Sequence, residues 1–205
     1  MIGFADFEAF LKASFPDMTD GMVERFRLMD AGYRDWNAKI NVISRKDIDS
    51  LYDHHVLHSL AIAEYLRTQR PEVYSMFTAP LQEGSVAPVS SSTNVNASRA
   101  GLRVLDLGTG GGFPGIPLAV LFPNVRFTLC DSVGKKTIVA REIANMLGLD
   151  NVEIVNARAE SLPGRFDFVV SRAVASLTDF YPWVKGKYSQ SILYPKGGDI
   201  NEEIC

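Results

Sequence analysis

VLDLGTGGGFPG, residues 104–115, is the stretch on which the fold turns. Its branched apolar residues read as a buried strand that runs directly into Gly108, Gly110, Gly111 and Gly112. PGIPLAVLF at 114–122 then reads as a helix, because proline suits a first turn that has no use for the missing N–H. Strand, glycine turn and helix in that order begin an open α/β sheet, whose ligands bind at the carboxyl ends of the strands. Glycine tolerates positive φ and lets a ligand approach the backbone, and the free N–H groups opening the helix can receive a polar ligand.

The same alternation continues downstream. VRFTLCD (125–131) is a second strand, and GKKTIVAREIANMLGL (134–149) is an amphipathic helix ending at Gly148. NVEIVNA (151–157), FDFVVSRA (166–173) and SILYPKGG (191–198) supply a third, fourth and fifth strand. Strands and helices alternating at this spacing imply a parallel sheet with helices on both faces.

Upstream the pattern is helical. Phe4, Phe7, Phe10 and Leu11 mark one helix that Pro16 ends, and Met22, Val23, Phe26, Met29 and Tyr33 mark a second after Thr19 and Asp20. A polar junction, WNAKINVISRKD at 36–47, precedes a third helix from about Asp47 to Leu66, with Leu51, Val56, Leu57, Leu60 and Ile62 apolar. Residues 79–100 hold Ser, Asn, Pro and Ala with almost no large apolar side chain, the composition of a flexible linker or loop insertion. The expected organisation is therefore an N-terminal helical extension (1–78), this linker (79–100) and an α/β domain (101–205).

Composition bounds the function. Apolar residues are 46% of the chain and charged residues 22%, ordinary for a globular protein. The opening residues carry no secretory pattern, no apolar run nears the roughly 18 residues of a membrane span, and Cys130 and Cys205 form no CxxC. A cytoplasmic chain without structural zinc is expected. The net charge of −3 and pI near 5.6 argue against a nucleic-acid partner, although a local basic surface matters more than the sum.

Two carboxylates narrow the ligand. Asp106 ends the first strand, where it would order the loop or bind the charged amino-acid end of a cofactor. Asp131 ends the second strand about twenty residues on, where a carboxylate accepts hydrogen bonds from a ribose diol. Gly110, Gly112 and Gly115 formally satisfy GxGxxG, so a dinucleotide competes, and a glycine turn that binds nothing is the plainest alternative. A carboxylate just before the first glycine suits a cationic sulfonium and ammonium better than a pyrophosphate, which favours S-adenosyl-L-methionine.

With these residues assembled, the chain resembles the bacterial glucose-inhibited division protein B family, whose members are 16S rRNA (guanine-N7) methyltransferases. The segments that carry the resemblance are WNAKINVISRKD, HHVLHSL, DLGTGGGFPGIPLAVLFP, LCDSVGKK, NARAE and FDFVVSRAVASL. They run from about residue 36 to residue 180, apart from an insertion at 67–100. The resemblance implies a Rossmann-like methyltransferase fold, with S-adenosyl-L-methionine as cofactor and a guanine N7 in the 530 loop region of 16S ribosomal RNA as acceptor. It implies cofactor contacts by Gly108, Gly110 and Phe113 of the loop, by Asp131 at the ribose, and by Ala159 and Glu160 beside the adenine. Arg172 would follow the fourth strand, face the reaction site and join the cofactor contacts, with a positioning role in the transfer open to it.

Each of these has a structural alternative: a core contact for Phe113, a solvated charge or helix cap for Glu160, a structural ion pair for Arg172. No catalytic acid or base is assigned, since guanine N7 has a free lone pair and in-line transfer depends on positioning. Lys135 and Lys136, with Arg45 and Lys46 and the neighbouring Asn37, Lys39 and Asn41, are the candidate RNA contacts, against the reading of a solvated charged face. Trp36 is expected to pack the helical cap on the sheet, and His54, His55 and His58 to pack or hydrogen-bond rather than hold a metal. The expected partner is 16S ribosomal RNA or the small ribosomal subunit, with no membrane or metal, and the chain is expected to act as a monomer.

The chain departs from the family pattern in the longer, polar 79–100 segment and in ending soon after Lys196, Gly197 and Gly198. The C-terminal strands of the usual sheet are thus expected to be missing. That keeps two other readings open: a small-molecule methyltransferase, and an inactive truncated remnant that still binds cofactor or RNA.

Overall fold

The computed structural model describes residues 2–81, 101–172 and 174–196. Two helices, α1 (Phe4–Ser14) and α2 (Asp20–Lys39), open the chain. Thr19 starts α2 by accepting a hydrogen bond from the Met22 N–H, satisfying one of the first turn's orphan donors. A 3₁₀ turn (Ile48–Ser50) and a π-helical segment (Leu51–Leu57) lead into α3 (His58–Gln69), and α4 (Pro71–Thr78) follows. The strands are β1 (Arg103–Leu107), β2 (Arg126–Asp131), β3 (Val152–Asn156), β4 (Phe166–Val170) and β5 (Tyr188–Leu193). Between them lie α5 (Gly115–Leu121), α6 (Gly134–Met146), a 3₁₀ turn at Ala159–Ser161, and α7 (Leu177–Val184).

All five strands pair in parallel in the order β3-β2-β1-β4-β5. The chain winds from β1 through β2 to β3 in one direction and from β4 to β5 in the other, so the topological switch lies between β1 and β4. There the carboxyl ends of adjacent strands part and leave a crevice. The register places Leu107 beside Cys130 and Asp131 beside Asn156, which brings the strand ends close to one level.

The strands alternate their side chains between two apolar layers. Val104, Phe127, Leu129, Phe168 and Val170 face the layer that also takes in α5, α6 and the N-terminal helices. Leu105, Leu107, Cys130 and Val169 face the other, covered by Phe180 and Val184 of α7. The N-terminal helices have no separate core. Phe7 stacks on Tyr52 at 4.8 Å, while Phe77 of α4 meets Phe122 and Phe168, each at 5.1 Å. The helical extension is therefore built into one face of the sheet.

Several elements differ from the sequence reading. The expected third helix begins with 3₁₀ and π turns, α4 is a separate helix within the expected helical extension, and α7 matches no segment read as a helix. Pro182 inside α7 hides that helix from a pattern reading, although Ser176 caps it by accepting from the Asp179 N–H. Phe10 stands 37% exposed rather than on the buried stripe of α1. The fifth strand starts three residues before SILYPKGG and stops at Leu193, because Pro195 cannot donate to the ladder. Among the described residues β5 and β3 are the sheet edges, and no helix is long and apolar enough to cross a membrane. Residues 82–100, Gly197, Gly198 and Cys205 lie outside the described residues.

Candidate functional site

A cavity of about 560 Å³ opens at the carboxyl ends of β1, β2 and β4. Gly108, Gly110, Phe113, Asp131, Ala159, Glu160 and Arg172, separated by up to 64 positions in sequence, all line it. The switch point brings them together, as the fold requires.

The glycine loop is held from below by Asp106. This residue is fully buried, and its Oδ2 accepts from the Thr109 hydroxyl at 2.6 Å and from the Gly115 N–H at 2.8 Å. Of the two roles open to it from sequence, loop ordering is the one its contacts perform. Its Oδ1 finds no partner among the described residues. Burial pushes the Asp106 carboxyl up to about 7, while the Thr109 and Gly115 bonds and the Arg172 charge pull the other way.

Asp131 clasps the loop from the side. One carboxylate oxygen accepts from the Gly110 N–H at 2.9 Å and the other from the Val133 N–H at 2.8 Å. Each oxygen keeps a second lone pair, and the residue faces the cavity while only 8% exposed. Gly110 has φ +57°, and a Cβ added there would meet nothing within 4 Å. The space beside its backbone is free for a ligand to enter.

Gly115 is constrained differently. A Cβ there would lie 2.6 Å from Asp106 Oδ2 and 2.7 Å from Leu129 Cγ. Gly115→Ala is therefore expected to lower stability by about 1–3 kcal/mol through overpacking, read as a lower urea midpoint with an unchanged slope. An unchanged midpoint would show that the α5 start is not held against Asp106.

The cavity's aromatic wall unites two readings of Phe113. Its ring is 6% exposed and stacks on Tyr33 at 4.7 Å, so it is a core contact that also lines the cavity. The Arg172 guanidinium carbon stands 5.5 Å from the same ring. Tyr33 donates its hydroxyl to the Gly111 carbonyl at 3.0 Å, and burial raises its pKa well above the ordinary value, which keeps it a neutral donor.

Arg172 donates through Nη1 to the His54 carbonyl at 2.9 Å and through Nη2 to His55 Nδ1 at 3.0 Å. Its partners are thus a backbone carbonyl and an imidazole rather than a carboxylate, and it still faces the cavity. His54 and His55 both reach the Asp47 carboxylate, and His58 is exposed. Glu160 is exposed at the cavity rim in the short turn after β3.

The basic residues divide. Lys136 lines the cavity, whereas Lys135, Arg45 and Lys46 are exposed outside its lining. Lys39 pairs with Asp35 at 2.7 Å and covers the Trp36 ring, and Trp36 packs against the core edge as expected. Asn37 is structural: it donates to the Ile43 carbonyl and accepts from the Val42 and Ile43 N–H groups. Sequence reasoning did not single out Tyr33 as a site residue, nor Asp47, nor Trp183, which lines the cavity from α7. Asp47 closes the WNAKINVISRKD junction, and that position was the one available signal.

Residues 85–205 match the GidB family model, described as rRNA small subunit methyltransferase G. The chain is 46% identical over 198 residues to the ribosomal RNA small subunit methyltransferase G of Flavobacterium psychrophilum, covering 93% of this chain and 80% of that protein. It is 45% identical to the protein of the same name from Bacteroides fragilis, over 92% of this chain and 81% of the relative. Among solved structures it is similar to a SAM-dependent methyltransferase from Thiobacillus denitrificans, in complex with S-adenosyl-L-homocysteine. That match is 22% identical, covers 46% of this chain and 42% of that one, and has a TM-score of 0.41. The chain is an S-adenosyl-L-methionine-dependent methyltransferase of the rRNA small subunit methyltransferase G family.

Proposed function

We propose that this chain methylates N7 of a guanine in the 530 loop region of 16S ribosomal RNA, in the cytoplasm, with the methyl donor held in the cavity at the β1–β4 switch. The observation that carries the reading is the joining, in one cavity, of the Asp131 carboxylate, the open backbone of Gly110 and the Arg172 guanidinium, in a chain of this family.

The lining fits the cofactor. Asp131 offers the two free acceptor sites that a ribose diol needs. Gly110 leaves its backbone approachable, Gly108 lines the cavity with Val174 packed against it, Ala159 and Glu160 form the wall after β3, and Phe113 supplies an aromatic wall. S-adenosyl-L-methionine, when bound, supplies an activated sulfonium methyl group. The protein then has to place a nucleophile in line with it and exclude water, an effect worth up to roughly 7–11 kcal/mol. No residue need act as a general base.

Lys136 in the cavity lining and the exposed Lys135, Arg45 and Lys46 supply phosphate contacts that offset the acidic whole-chain charge. Replacing Lys135 and Lys136 together by alanine is expected to weaken binding to small-subunit RNA and to lower the log–log salt slope by about 1 per lost contact. A slope that does not change would remove these lysines from the interface.

The direct test is transfer of labelled methyl from the cofactor to purified small-subunit RNA, with the product mapped by N7-specific chain cleavage. Incorporation at a 530-loop guanine, and none into free guanosine, is expected. Label in small acceptors with none in RNA would make the chain a small-molecule methyltransferase. Cofactor binding without turnover on any RNA would make it an inactive remnant.

A further inference from the structure

We infer that Asp47 and His55 are positioning residues of the methyl transfer, which act together by holding the Arg172 guanidinium in place at the cavity. The inference rests on the reading of that cavity as the cofactor and acceptor site.

The contacts form a single line across the fold. Arg172 leaves the end of β4 and donates to His55 Nδ1 and to the His54 carbonyl, both in the π-helical segment Leu51–Leu57. π turns within helices are frequently found at functional sites. A guanidinium only donates, so His55 Nδ1 accepts and the ring proton sits on Nε2. Nε2 in turn donates to Asp47 Oδ2 at 2.8 Å, while the other Asp47 oxygen takes His54 Nδ1. The Phe113 ring supports the line from the loop side, 5.2 Å from the His55 ring and 5.5 Å from the guanidinium carbon.

This chemistry works only with a neutral His55. A second ring proton, on Nδ1, would point at the guanidinium and turn an attraction into a repulsion. The charged and titratable groups around the pair are Asp47 and His54 from the junction and the π segment, Tyr33 from α2, and Asp106 from β1. Burial lowers the His55 pKa and Arg172 lowers it further, while Asp47 raises it. The network therefore keeps the ring neutral and in one tautomer, as a positioning role requires.

The chain has three histidines, so ¹⁵N spectra of the ligand-free protein can be assigned with single His→Gln variants. The expected result is an Nε2–H tautomer for His55, with a pKa below the usual value of about 6.5. Arg172→Ala should raise that pKa and Asp47→Asn should lower it. In methylation assays Asp47→Asn and His55→Phe are expected to lower kcat about ten-fold, with cofactor affinity by calorimetry little changed. Both losses should vanish in an Arg172→Ala background, because positioning residues have nothing left to position. The acid limb of the wild-type kcat profile should also be missing in His55→Phe.

An Nδ1–H tautomer, or losses that add to that of Arg172→Ala, would overturn the inference. An Nδ1–H tautomer in the wild-type spectra overturns it even where the Asp47 or Arg172 variant fails to fold. Asp131→Ala measured in parallel separates the two layers. Loss of cofactor binding there, with kcat intact in Asp47→Asn, sinks this inference alone; cofactor binding retained in Asp131→Ala sinks the reading of the cavity.

Discussion

Asp131→Ala is expected to weaken S-adenosyl-L-methionine binding by a hundred-fold or more and to take methylation down with it. The Asp131 carboxylate accepts two backbone N–H bonds, from Gly110 and Val133, and so ties the glycine loop to the end of β2. Hydrogen bonds to a charged group are worth about 1.5–3 kcal/mol each. Alanine removes both and leaves the Gly110 N–H without its partner beside the open cavity. The ribose acceptors disappear in the same change, and a factor of ten in affinity needs only about 1.4 kcal/mol. Loss of two such contacts therefore exceeds a hundred-fold. Titration calorimetry of the cofactor reads this directly. Asp131→Asn keeps one acceptor oxygen and should fall between the two. Affinity within about three-fold of wild type in Asp131→Ala, less than 1 kcal/mol, would mean that the ribose is not held here.

Asp131 was also among the residues most legible in the sequence, and the reason is physical. A strand end followed at fixed distance by the next strand end is a local pattern, so VLDLGTGGG and LCD together located one side of the cavity. The opposite side depends on pairings that no local pattern carries. Arg172 and His55 are 117 positions apart, and Tyr33 meets Gly111 across 78. Tyr33 read as one more member of an apolar stripe, which it is, but its hydroxyl also holds the loop. The π turn at Leu51–Leu57 has the same apolar spacing as the α-helix expected there, so the exposed carbonyls that receive Arg172 left no trace in the sequence. For Asp106 the sequence offered two roles, and only burial distinguished them. A carboxylate with no exposed surface that accepts from Thr109 and Gly115 orders the loop from beneath.

That burial makes Asp106→Asn the second large expectation: it should reverse part of the pH dependence of stability. The Asp106 carboxyl is raised from an ordinary 3.8 to about 7. Between those values the folded chain holds a proton that the unfolded chain has lost, so stability falls as pH rises through the window. At 1.36 kcal/mol per pH unit, the loss approaches roughly 4 kcal/mol by pH 8 and is absent below pH 4. Asparagine cannot ionise, yet its side-chain oxygen can still accept from Thr109 and Gly115, and its amide takes the place of the unpartnered Oδ1. The variant should therefore match or fall slightly below wild type at pH 5 and exceed it at pH 8. His55, whose pKa is lowered, acts with the opposite sign just below pH 6.5, and it acts equally in both proteins. Asp47, lowered by its histidine partners, acts only nearer the ordinary carboxylate range. The difference between wild type and Asp106→Asn thus isolates one carboxyl. Urea denaturation at pH 5, 6, 7 and 8 measures it. A difference that stays constant with pH would mean that Asp106 is ionised throughout, held by the charge of Arg172 more strongly than burial opposes it.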